Sequence, residues 1–146
     1  MSVIDQGGTQ LQTVCVAADV EVLAPDGSEI RVLSRHRSAS SAHGTLPVGA
    51  VSLAIQHLTI DEIWYVLSGR AEIWRKQGES EGIIDANSGT SLTIPVGTHF
   101  QFRTVGDEPF CFVMFTTPPW PGDQEVVQVN GCWTGVDSRQ SLVERR

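Results

Sequence analysis

Two residues of this chain have the types and the spacing for proton transfer. His57 and Glu62 sit in neighbouring short apolar segments, Ile55-Gln56-His57 and Glu62-Ile63-Trp64-Tyr65-Val66. Burial raises the pKa of a carboxyl group, and an adjacent imidazolium opposes that rise. Such a pair can serve as acid and base on an organic molecule held beside it. It can also stand as a polar pair that only fixes strand register. The other histidines offer less: His36, within Ser34-Arg35-His36-Arg37, reads as a solvated turn, and His43 precedes the Pro47 turn, from which it could reach in from a neighbouring strand. Cys15, Cys111 and Cys132 form no CxxC or zinc-ribbon pattern and read as small apolar residues.

The segments that must position these groups are strands. Runs of four to eight residues, rich in Val, Ile, Thr and aromatics, alternate with Gly, Pro, Asp and Asn. Candidate strands cover 11–16, 20–23, 30–34, 40–46, 51–57, 62–67, 70–75, 82–85, 91–94, 99–104, 110–117 and 125–129. Pro25-Asp26-Gly27 and Ser68-Gly69 have the chemistry of hairpin turns, and Pro47-Val48-Gly49 and Pro95-Val96-Gly97 add further corners. Many short strands without helix-length connections predict an antiparallel sandwich or barrel and disfavour a parallel α/β fold. The division expected is a loose arm over 1–10, one barrel over 11–130 and a polar tail over 131–146.

Charge and composition exclude several partners. Among 146 residues, 17 are acidic and 10 basic, for a net charge of −7. Such a surface repels a phosphate backbone, so no nucleic acid is expected. No basic run or long apolar stretch predicts a membrane association. Residues 1–10 lack the pattern of a signal peptide, and with the scattered cysteines this predicts reduced thiols in a cytoplasmic setting.

The stretch from Gly49 to Phe102 resembles the two-part signature of the cupin superfamily, in particular its small single-domain barrels. Gly49 leads to Ile55-Gln56-His57, then Glu62, then Gly69; Gly89 leads to Pro95-Val96-Gly97 and His99. The resemblance implies an all-β, antiparallel double-stranded β-helix, the jelly-roll or cupin barrel, with its site inside. Metal-binding members of that family direct three histidines and one glutamate inward. This chain departs twice: Ile55 stands at the first histidine position, and Phe100 at the last, with His99 one residue early.

Two arrangements follow from that offset. In a regular strand after Gly97, Phe100 and Phe102 face inward while His99, Gln101 and Arg103 face outward. A bulge would reverse this and bring His99 and Gln101 beside His57 and Glu62. The bulged form would provide a metal set of His57, Glu62 and His99 for one divalent ion, Fe, Mn, Zn or Ni; the regular form leaves no metal set and a polar pair in a pocket of Ile55, Trp64, Phe100 and Phe102. The functions expected are a metal-dependent small-molecule enzyme, such as an isomerase, cyclase, lyase or dioxygenase; a metal-free enzyme with His57 and Glu62 as acid and base; or a module that binds a small organic molecule without turnover. The resemblance also implies a homodimer. Trp120, in Pro118-Pro119-Trp120-Pro121, reads as an ordered crossing over the barrel wall or as a lid edge near the pocket.

Overall fold

The computed structural model describes residues 10–134, so most of the arm expected at 1–10 and of the tail expected at 131–146 lies outside the described residues. Eleven strands follow in order: β1 (Val22–Leu23), β2 (Glu29–His36), β3 (Ala39–Leu46), β4 (Ile55–His57), β5 (Asp61–Ser68), β6 (Arg70–Gln77), β7 (Ser80–Asn87), β8 (Ser91–Ile94), β9 (His99–Val105), β10 (Phe110–Thr117) and β11 (Val126–Gln128). One sheet runs β1-β2-β3-β10-β5-β8 and the other β11-β4-β9-β6-β7. All the ladders are antiparallel. The fold is the expected all-β double-stranded β-helix. No helix among the described residues is long and apolar enough to cross a membrane.

Alternation decides what each strand buries. In β5, Glu62, Trp64 and Val66 are buried while Asp61, Ile63 and Tyr65 are exposed, as the two-residue period of a strand requires. The buried face meets β9 and β10 in an aromatic cluster. Trp64 stacks on Phe112 at 4.1 Å and meets Phe102 edge-on at 5.0 Å. Phe110 packs on Phe112 at 5.3 Å. Gly44 on β3 makes room for this cluster, since a Cβ there would lie 2.6 Å from Phe112 Cζ. Gly69, at φ +78°, turns β5 into β6 with Pro109 carbonyl oxygen pressed against the place a Cβ would take. Only glycine meets both demands.

Two expected strands are absent or short for identifiable reasons. Residues 11–16 form no strand; the contacts to β2 there and just beyond run through single side chains and not through a backbone ladder. Arg35 N–H donates to Gln12 Oε1, and the Arg31 guanidinium donates to the carbonyls of Ala17 and Ala18. Residues 51–54 divide their backbone bonds between two partners, Ser52 N–H with Phe102 O and Leu53 N–H with Asp26 O. A regular ladder begins only at Ile55, opposite Phe100.

Candidate functional site

Between the sheets lies a mostly apolar cavity of about 240 Å³. Leu23 and Ile30, Ile55 and Phe100, and Trp64 and Phe112 line it. His57 enters from β4 and Glu62 from β5, each only 4% exposed, with His57 Nε2 3.4 Å from Glu62 Oε2. The contact is at ion-pair distance and is not aligned as a hydrogen bond; neither imidazole nitrogen has a hydrogen-bond partner among the described residues. Trp64 Nε1–H donates to Glu62 Oε1 at 2.8 Å. That bond fixes the carboxylate and leaves Oε2 turned toward His57.

Aromatic rings hold the imidazole. Phe100 packs on it at 5.5 Å, and Trp120 meets it edge-on at 5.7 Å. Trp120 also lines the cavity, which places the Pro-rich segment at the pocket edge. Its backbone N–H is anchored on Ser40 Oγ at 2.9 Å.

Two acids unmarked by the sequence motifs shape the charge. Asp26, read from sequence only as a turn residue, is buried at the cavity wall. Its Oδ1 accepts the N–H and hydroxyl of Ser28 at 2.9 and 2.7 Å. Burial raises its pKa; the Ser28 hydrogen bonds oppose that and Glu62 adds to it. Glu125 closes the loop after β4, accepting from Thr59 N–H at 2.6 Å and Ile60 N–H at 2.9 Å. These bonds lower its pKa against the contrary pull of burial. For His57, burial disfavours the cation, but Glu62, and after it Asp26 and Glu125, outweigh burial and raise its pKa above the ordinary value. The three acids thus favour the charged form of His57, Glu62 and Asp26 from the cavity wall and Glu125 from outside it.

The strand after Gly97 takes the regular register. Phe100 lines the cavity, and Phe102 is buried in the aromatic cluster beneath it rather than at the cavity surface. His99, Gln101 and Arg103 are on the opposite face of β9, where His99 pairs with Lys76. Gln101 is buried there, donating to Ser52 O and Trp133 O and accepting Trp133 N–H at 3.0 Å. Arg103 pairs with Glu72 and lies over the Trp133 ring. Gln101 was expected beside the pocket; the segment around Trp133 covers it instead, a long-range contact no local pattern signals. His43 pairs with Val113 and Arg31 and does not line the cavity.

A divalent ion does not fit this donor set. The bulged register that would have joined His99 to His57 and Glu62 does not occur. Among the described residues no group of three or more His, Cys, Asp or Glu side chains is arranged to hold a metal. Asp26, the other acid in the wall, already has Oδ1 committed to Ser28. Two donors rarely retain a transition metal.

Comparison with known proteins bears on this geometry. A family model described as "Cupin domain" matches residues 42–116. An uncharacterised protein of Methanocaldococcus jannaschii is 28% identical over 112 residues, covering 73% of this chain and 86% of that protein. Among solved structures, an uncharacterised conserved protein of Klebsiella pneumoniae with a double-stranded β-helix domain superposes with TM-score 0.64 at 18% identity, over 84% of this chain and 100% of the other. A mutant of Bacillus subtilis oxalate decarboxylase superposes with TM-score 0.64 at 18% identity. That match covers 75% of this chain but only 30% of the decarboxylase, so the chain spans under a third of that enzyme. Likeness at this identity establishes the shared fold alone.

Proposed function

Since this chain belongs to the cupin domain family, we propose that it is a metal-independent member that binds a compact, largely apolar molecule between its sheets and moves a proton on it. The observation that carries the proposal is the His57–Glu62 pair, buried at 3.4 Å in an apolar cavity. A dry cavity of about 150 Å³ suffices for benzene, so about 240 Å³ suits one ring with a polar substituent or a small bicycle.

The chemistry favoured is isomerisation beside a carbonyl. Glu62 Oε2 takes a proton from the carbon next to the carbonyl, and the C–H electrons form a C=C bond. The carbonyl π electrons pass to oxygen, which takes the Nε2 proton of the His57 imidazolium. Return of the first proton to a different carbon, with the enol proton going back to His57, restores both groups. Trp64 holds the carboxylate for this role, and the apolar wall strengthens each charge interaction.

The test is solvent-deuterium incorporation into small cyclic enones, followed by mass spectrometry in the presence of chelator. Incorporation is expected, and Glu62→Gln should slow it by about 10²–10⁴-fold. Full incorporation in Glu62→Gln would disprove the mechanism. An enone or phenol that raises the melting temperature by mass action but emerges unexchanged would make the protein a binding module, the second reading the same cavity supports. The reaction of the decarboxylase neighbour is not part of the proposal. Oxalate is a dianion that would have to be desolvated beside Glu62, so it should not displace an enone or phenol from this cavity.

The homodimer also stands as a proposal. Ile63, Tyr65 and Phe115 are exposed together on the outer face of β5 and β10, with Phe115 opposite Ile63. Light scattering at micromolar concentration should give twice the 15.9 kDa chain mass; a single chain mass would refute it.

A further inference from the structure

The barrel has a second cleft, of about 300 Å³, that shares no lining residue with the cavity around His57. Its lining comes from the β6–β7 hairpin of one sheet and from the end of β8 in the other with the turn that follows it. Strand pairing sets its inner wall: Arg75 is opposite both Phe100 and Gly82, and Gln77 opposite Ser80. These residues share the inward face with Ile73, which is fully buried. Arg75 therefore points between the sheets, not outward like its neighbour Lys76.

Three features bear on what this cleft could hold. Arg75 Nη1 donates to Thr93 O at 2.9 Å, which tethers the guanidinium at the cleft wall, and no other hydrogen bond or ion pair of this guanidinium occurs among the described residues. Thr98, 2% exposed and lining the cleft, has a hydroxyl with no hydrogen-bond partner among the described residues. A buried hydroxyl left unmatched is costly, and this one belongs to a residue of the cleft wall that Arg75 also lines. Gly82 forms part of the wall in ordinary strand conformation, and a Cβ there would meet nothing within 4 Å. No backbone demand explains that glycine; its missing side chain leaves the cleft open. Glu81 also borders the cleft, but its carboxylate accepts Trp74 Nε1–H at 2.8 Å.

We propose that the Arg75–Thr98 cleft is a binding site for a compact oxyanion, a carboxylate or a phosphate, separate from the apolar cavity. The planar fork of Arg75 matches two oxygens of either group. Thr98 Oγ1–H donates to a third contact, and Gln77 and Ser80 stand at the mouth.

The experiment is an NMR titration of the whole chain with acetate and, separately, inorganic phosphate, at ionic strength held constant with chloride. Saturable shifts are expected at the amides of residues 75, 77, 82 and 98, with a dissociation constant on the order of 1 mM. The two arms tell which oxyanion the cleft prefers. Arg75→Gln should weaken binding at least about tenfold, and Thr98→Val about two- to tenfold. Gly82→Val adds a β-favouring side chain to a strand with room for it, so it should fold normally and abolish binding. Equal shifts with chloride alone, or undiminished binding in folded Gly82→Val, would overturn the proposal.

Discussion

Glu62→Ala should lower stability near neutral pH by about 3–5 kcal/mol, the usual cost of removing one member of a buried charged pair. Two groups lose their partner at once. Trp64 Nε1–H loses its acceptor at 2.8 Å, and His57 loses the carboxylate at 3.4 Å. The pH dependence should weaken as well. In the native chain the folded imidazolium has a raised pKa. His57 therefore contributes stability that is full below its unfolded value of about 6.5 and is lost as pH rises through the folded value. Without Glu62, burial faces only the weaker pull of Asp26 and Glu125. The folded pKa should then fall, and with it the stability that His57 contributes at low pH. Urea denaturation of both proteins between pH 5 and 8 measures this directly. A double variant with His57→Phe and Glu62→Leu should be less destabilised than Glu62→Ala, because no charge is left buried alone. Equal stability and parallel pH profiles for the native chain and Glu62→Ala would show the two groups uncoupled.

Phe112→Ala should cost a further large amount, about 3–5 kcal/mol, through lost burial and the cavity left behind. Phe112 is fully buried, stacks on Trp64 at 4.1 Å and borders the ligand cavity. The variant should therefore also admit bulkier apolar ligands, read as melting shifts by compounds the native chain ignores. Gly44 provides an internal control. Gly44→Ala alone overpacks the site, because its Cβ would meet Phe112 Cζ at 2.6 Å, and should cost about 1–3 kcal/mol. In the Phe112→Ala background the same change meets empty space and should be neutral or stabilising. Additive losses in the double variant would contradict the packing described.

Much of this was readable from residue order because strand parity is a local rule. Strands β8 and β10 occupy the expected residues, and Glu62 and Trp64 face inward together as their spacing requires. The same rule, applied to a regular strand, placed Phe100 inward and His99 outward; what it could not decide was whether a bulge interrupts β9, since that depends on pairing with β4 and β6. Parity also says nothing of what covers a sheet's outer face. Trp74 and Gln101 are both outward in register and yet buried, the latter bonded to Trp133 from far along the chain. Asp26 escaped notice because its turn chemistry with Ser28 gave it a sufficient local role, while its place in the cavity wall depends on how β1 and β2 fold over β4. Arg75 stands in the polar run Arg75-Lys76-Gln77-Gly78-Glu79, which by residue order alone reads as a solvated hairpin end, and only the fold brings it to a cleft with Thr93 and Thr98.

The account depends above all on a charged His57–Glu62 pair inside the barrel, and a nitrogen-15 imidazole titration of the native chain tests it most directly. The His57 midpoint should lie above the ordinary value of about 6.5 and should drop in Glu62→Gln. A midpoint at or below the ordinary value, unmoved by that substitution, would mean that the imidazole does not sense the carboxylate, and the proposed proton transfer would have no acid.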